Sequence, residues 1–96
     1  MRAHLIRHIK VLDELGHIVE IKMWQLPQST KDKSHGYKYS LVYIVDGKRV
    51  IGYDNGEGQG DHRHVKQTIK PYKFINLKKL TKDFYNDIEK FNRGEL

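Results

Sequence analysis

The sequence predicts an α+β fold, an antiparallel sheet of four to five strands built from two hairpins and covered by a C-terminal helix. Three observations lead there. Asp46-Gly47 separates two alternating segments, Asp13-Glu14-Leu15-Gly16 separates another two, and Leu77, Leu80, Phe84, Ile88 and Phe91 recur at helical spacing. With 96 residues, the chain has room for one core, so residues 1–96 are expected to form a single domain.

Ala3 to Leu12 alternates, with Ala3, Leu5, Ile9 and Val11 on one side and His4, Ile6, His8 and Lys10 on the other. Arg7 interrupts the apolar side. Gly16 closes a turn, His17 to Leu26 resumes as the second strand, and Pro27 stops it because proline cannot donate to a ladder. Gln28 to Gly36 is a polar loop.

Tyr37 to Val45 and Lys48 to Asp54 form the second hairpin around Asp46-Gly47, whose primed turn matches strand twist. Unbroken pairing sets Val45 opposite Lys48, Tyr43 opposite Val50, Leu41 opposite Gly52 and Tyr39 opposite Asp54. The other face then carries Ser40, Val42, Ile44, Arg49, Ile51 and Tyr53. Both faces are partly apolar, so one packs on the helix and the other meets a second layer or another protein, with a homodimer as one arrangement. Asp61 to Gln67 reads as a fifth strand and Pro71-Tyr72-Lys73-Phe74 as an extended connector. Asn76 is placed to cap the helix.

Eighteen basic against twelve acidic residues give a net charge of +6, which favours polyanionic partners, RNA among them, against the competing reading of a solubilising lysine surface. The absence of cysteine excludes thiol chemistry and thiolate metal sites and fits a reducing, cytoplasmic setting. No long uncharged apolar run follows the first residues, so no secretory signal or membrane span is expected.

The chemistry concentrates between Gly52 and His64, a stretch holding four of the eight glycines and two of the six histidines. On an extended chain His62 and His64 point to one side, their imidazoles about 7 Å apart, while Arg63 points to the other unless the strand ends there. Two imidazoles near neutrality can divide phosphodiester cleavage, one taking the proton of a ribose 2′-hydroxyl and the other protonating the leaving oxygen. Asp54 can orient an imidazole, and Arg63, Lys66 or Lys48 can offset the developing negative charge. The expected catalytic set is His62, His64, Asp54 and Arg63. Tyr39, Arg49, Tyr53, Asn55 and Lys66 are the expected contacts to nucleic acid. The competing reading makes His-x-His a solvated face and Asp54-Asn55-Gly56 turn chemistry. Asp61 or Asp54 with His62 and His64 could instead ligate zinc or manganese, but the spacing fixes no third ligand, so no cofactor is expected. Gly56, Gly58 and Gly60 alternate with Glu57 and Gln59 without the Lys-Ser/Thr and helix of a phosphate-binding loop. They support a mobile flap or a close backbone approach.

Lys38-Tyr39-Ser40-Leu41-Val42-Tyr43, Gly47 to Asn55, Gly60-Asp61-His62-Arg63-His64, Pro71-Tyr72 and Asp83-Phe84 together resemble the TumE-like family, over a span from about Ala3 to the helix end. The chain departs from that pattern at Gln59, where lysine is common, and at Ile69-Lys70, where acidic residues are. The resemblance implies a growth-inhibiting toxin of a prokaryotic toxin–antitoxin pair with a cognate helix-turn-helix antitoxin. It leaves open an endoribonuclease, a basic module that binds antitoxin, DNA or ribosome without catalysis, and a metal-dependent nuclease or transferase.

Overall fold

The computed structural model describes residues 3–31, 33–56, 58 and 60–96. Glu57 and Gln59 of the glycine loop therefore lie outside the described residues, as do Met1, Arg2 and Asp32. Six strands form one antiparallel sheet in chain order: β1 (His4–Leu12), β2 (Ile18–Gln25), β3 (Tyr37–Val45), β4 (Lys48–Asp54), β5 (His62–Val65) and β6 (Thr68–Pro71). Helix α1 (Leu77–Asn92) follows.

The sixth strand corrects the expected four to five. Lys66-Gln67 turns the chain with Lys66 at φ 55°, and β6 then pairs with β5 from Val65↔Thr68 to His62↔Pro71. Part of the expected connector is thus a sheet edge. The Asp46-Gly47 turn forms as expected, with both residues at positive φ.

Between β3 and β4 the register slips. Val45 pairs with Lys48 and Ile44 with Arg49, but Tyr43 pairs with Ile51, Leu41 with Tyr53 and Ser40 with Asp54. Val50 is the extra residue of a β-bulge. This corrects the unbroken pairing: from Ile51 onward every side chain of β4 sits on the opposite face from the one alternation assigns. Ile51 and Tyr53 join Tyr39, Leu41 and Tyr43 in the core, while Gly52 and Asp54 turn to the other side. A second irregularity, between Leu5 and Arg7, sets Leu5 against Trp24, apart from Ile9 and Val11.

The helix covers the face lined by Val19, Ile21, Met23, Tyr39, Leu41, Tyr43, Ile51 and Tyr53, and contributes Leu80, Phe84 and Ile88 to that core. Asn76 caps it, its Oδ1 accepting from the Lys79 amide at 2.7 Å. Asp87 lies within the buried stripe. Its carboxylate accepts from Tyr53 Oη at 2.5 Å and from Arg63 Nε and Nη2 at 2.7 and 3.0 Å. The same pattern recurs where Tyr39 Oη donates to Asp61 and Tyr72 Oη to Asp83, each at 2.6 Å. Buried and half-buried phenols thus find carboxylate acceptors rather than staying unpaired.

The pleat sends the intervening residues to the face away from the helix: Lys22 and Trp24 on β2, Lys38, Ser40, Val42 and Ile44 on β3, Arg49, Gly52 and Asp54 on β4, and His62 and His64 on β5. Lys38 Nζ lies 5.5 Å from the centre of the Trp24 ring.

Candidate active site

The open face owes its chemistry to cross-strand pairing. Asp54 pairs with His62 and Gly52 with His64, so one carboxylate and two imidazoles meet on adjoining rungs of β4 and β5. The ring centres of His62 and His64 are 4.7 Å apart, closer than an idealised strand implies. Both imidazoles are buried, at 8% and 6% exposure, although no helix covers them.

Each ring has a distinct set of partners. His62 Nδ1 donates to the Gly60 carbonyl at 3.0 Å, and its Nε2 lies 2.6 Å from Asp54 Oδ1. With Nδ1 committed as a donor to a carbonyl, Nε2 is the ring nitrogen that faces the carboxylate. His64 Nδ1 accepts from Arg49 Nη2 at 3.0 Å, which fixes the neutral tautomer with its proton on Nε2. That Nε2 is buried 3.3 Å from Asp54 Oδ2 without an aligned hydrogen bond. Burial pushes the His64 pKa below the ordinary imidazole value, and the Arg49 charge pushes it further, outweighing the pull of Asp54. One imidazole therefore sits against a carboxylate while its neighbour is pushed toward the neutral form. Two imidazoles in such different surroundings are chemically able to take different roles in proton transfer.

Arg49 also comes within 3.9 Å of Asp54 through Nη1, and its side chain is 42% exposed. Its stem passes over Gly52. A Cβ built on Gly52 would lie 3.0 Å from Arg49 Cδ and 3.4 Å from Arg49 Nε. This close approach at Gly52 escapes sequence reasoning, although a glycine inside a strand is itself a signal of one.

The structure brings together His62, His64, Asp54 and Arg49. It places Arg63 on the helix-covered face, bound to Asp87, because residues one apart on β5 face opposite ways. Tyr39 and Tyr53 are in the core, at 1% and 2% exposure. Asn55 is buried, accepting from the Tyr39 amide at 3.0 Å and donating to the Tyr37 carbonyl at 2.8 Å. Lys66 is exposed in the β5–β6 turn. Lys48 opens β4 beside that strand's hairpin turn. Asp61 faces away from the two histidines, accepting from His35 Nε2 at 3.0 and 3.2 Å as well as from Tyr39. Among the described residues, the group that could hold a metal is Asp54, His62 and His64, whose ligand atoms all lie within 4.8 Å of one another.

No helix among the described residues is long and apolar enough to cross a membrane. Neither a curated protein nor a solved structure matches the chain. A family model described as toxin TumE matches residues 3–92, a span that contains the whole sheet, the glycine loop and the helix. The chain belongs to the toxin TumE family.

Proposed function

We propose that this member of a toxin family acts on RNA as a metal-independent endoribonuclease, with His64 as base, His62 as acid and a cognate antitoxin as its partner. The observation that carries the reading is the shared carboxylate: Asp54 reaches both imidazoles, one at 2.6 Å and the other at 3.3 Å. His64 Nδ1 takes the proton of a ribose 2′-hydroxyl, and the 2′-oxygen attacks the adjacent phosphorus. The bond to the 5′-oxygen breaks as His62 Nε2 gives that oxygen its proton. The products are a 2′,3′-cyclic phosphate and a 5′-hydroxyl. Arg49 supplies the positive charge for the phosphoryl oxygens, in place of the Arg63 that the sequence suggests.

Cleavage of single-stranded RNA by the purified protein tests this. RNA should be cut at rates unaffected by a chelator, and a strand with 2′-deoxyribose at the cut position should stay intact. Intact RNA with wild-type protein, or full toxicity in His64→Ala, overturns the reading and favours binding without catalysis.

A second reading, a divalent metal on Asp54, His62 and His64, has support in the clustering of their ligand atoms. Against it stands the Arg49 guanidinium, a positive charge 3.0 Å from His64 Nδ1 and 3.9 Å from Asp54 Oδ2 that would repel a cation held by the same residues. Loss of RNA cleavage on chelation, restored by one metal, would favour this second reading.

A further inference from the structure

We propose that Gly52 is the seat of a latch in which Arg49 closes on His64 and releases it when a phosphate group takes the guanidinium. The proposal rests on the phosphodiester reading above for its purpose, but not for its geometry.

Gly52 is buried in the middle of β4, opposite His64, with Asp54 two residues on. Its φ is not in the left-handed region, so the backbone alone would accept any residue there. What a side chain would meet is Arg49: Cδ at 3.0 Å and Nε at 3.4 Å, with His64 Cβ at 3.6 Å. The bare backbone is therefore the surface on which the arginine stem lies. The Val50 bulge puts both residues on the open face despite their odd separation in sequence.

The consequence falls on His64. Its Nδ1 lone pair is the one a base would use, because Nε2 carries the proton facing Asp54, and that lone pair is occupied by Arg49 Nη2 at 3.0 Å. A neutral imidazole is a weak partner for a guanidinium compared with a phosphate, which offers two anionic oxygens to the planar fork. The partly exposed Arg49 can exchange one for the other by side-chain rotation alone. A phosphate group entering the open face then does two things: it fixes the guanidinium against its oxygens and frees the nitrogen that takes the 2′-hydroxyl proton. Gly52 and Arg49 are positioning residues for His64 in this arrangement.

The test is nuclear magnetic resonance of the full chain labelled with nitrogen-15, following the imidazole nitrogens of His64 while inorganic phosphate is added. In the wild type, His64 Nδ1 should start as a hydrogen-bonded acceptor and move to the unbonded position as phosphate binds. Arg49→Ala should show the unbonded position from the start and no further movement. Gly52→Ala should do the same without phosphate, because its methyl displaces the stem, and should bind phosphate about tenfold more weakly, the loss of roughly one charge-assisted contact. The clash is with a flexible side chain, so Gly52→Ala should fold, and an unchanged circular dichroism spectrum checks it. Arg49→Ala leaves the strand backbone untouched and carries the test if Gly52→Ala does not fold. An unmoved His64 Nδ1 on phosphate addition overturns the latch, as does a folded Gly52→Ala with the wild-type spectrum. Failure to cleave RNA would leave these nitrogen readouts unaffected, so it tests the proposed activity separately.

Discussion

Asp54 Oδ1 lies 2.6 Å from His62 Nε2 while its other oxygen lies 3.3 Å from His64 Nε2, so a single carboxylate spans both rings. Asp54→Asn keeps the size of the side chain and removes the charge. RNA cleavage should fall by about 10²–10⁴-fold, the usual range for losing positioned acid–base chemistry. The loss should appear in kcat with the melting temperature little changed, as measured by single-turnover cleavage and thermal unfolding.

The pH profile should carry the signature of Arg49. Burial and the guanidinium charge both lower the His64 pKa, so the acid limb of kcat/KM should fall below the ordinary value of 6.5. Arg49→Ala removes a positive charge that disfavours imidazolium. The acid limb should therefore move to higher pH, even as the maximum rate drops. A limb that stays in place would show that His64 is not the group titrating.

Arg63 should prove structural. Its partner Asp87 is 5% exposed and accepts from both Arg63 and Tyr53. Asp87→Ala leaves a partly buried guanidinium and a buried phenol without their acceptor, and should destabilise the fold by about 3 kcal/mol, the low end for breaking a buried pair because Arg63 is partly solvated. Urea unfolding measures this. Arg63→Ala should likewise lower stability while leaving cleavage per folded molecule close to wild type.

Alkali should unfold the protein through its tyrosines. Burial first, then the carboxylates of Asp61 and Asp87, push the phenols of Tyr39 and Tyr53 far above their ordinary value of 10.0. The unfolded chain releases these protons near that value and the folded chain keeps them. The stabilisation is thus whole below pH 10 and is lost as the pH rises above it, by about 1.4 kcal/mol per pH unit for each such tyrosine. Urea midpoints measured across that range should fall, with phenolate absorbance rising together with unfolding.

Much of this arrangement is legible in the residues themselves. Asp46-Gly47 announces its hairpin, Asn76 and the spaced Leu80, Phe84 and Ile88 announce the helix, and His62 and His64 share a face because strands repeat every two residues. The bulge is not legible, because Val50 and Ile51 are adjacent and equally apolar, so either phase of β4 offers a plausible core face. The sixth strand hides for a local reason: Lys66 adopts positive φ without the glycine or asparagine that marks such turns. Tyr39, Tyr53 and Asn55 look available to a ligand in sequence, yet their polar atoms are taken up inside the fold by Asp61, Asp87 and the β3 backbone. Asp87 reads as the polar side of an amphipathic helix, and only its partners on β4 and β5 explain its burial.

Val50 acts on β4 as a phase shift acts on a signal: everything downstream is inverted. Were Val50 to take a place in the ladder instead, strict alternation would return Ile51 and Tyr53 to the open face and drive Asp54 beneath the helix, toward a core that already holds the Asp87 carboxylate. Hydrophobic content, strand length and hairpin turn would all be preserved. The side of the sheet on which Asp54 meets the two histidines is thus set by one unpaired residue in a hairpin arm.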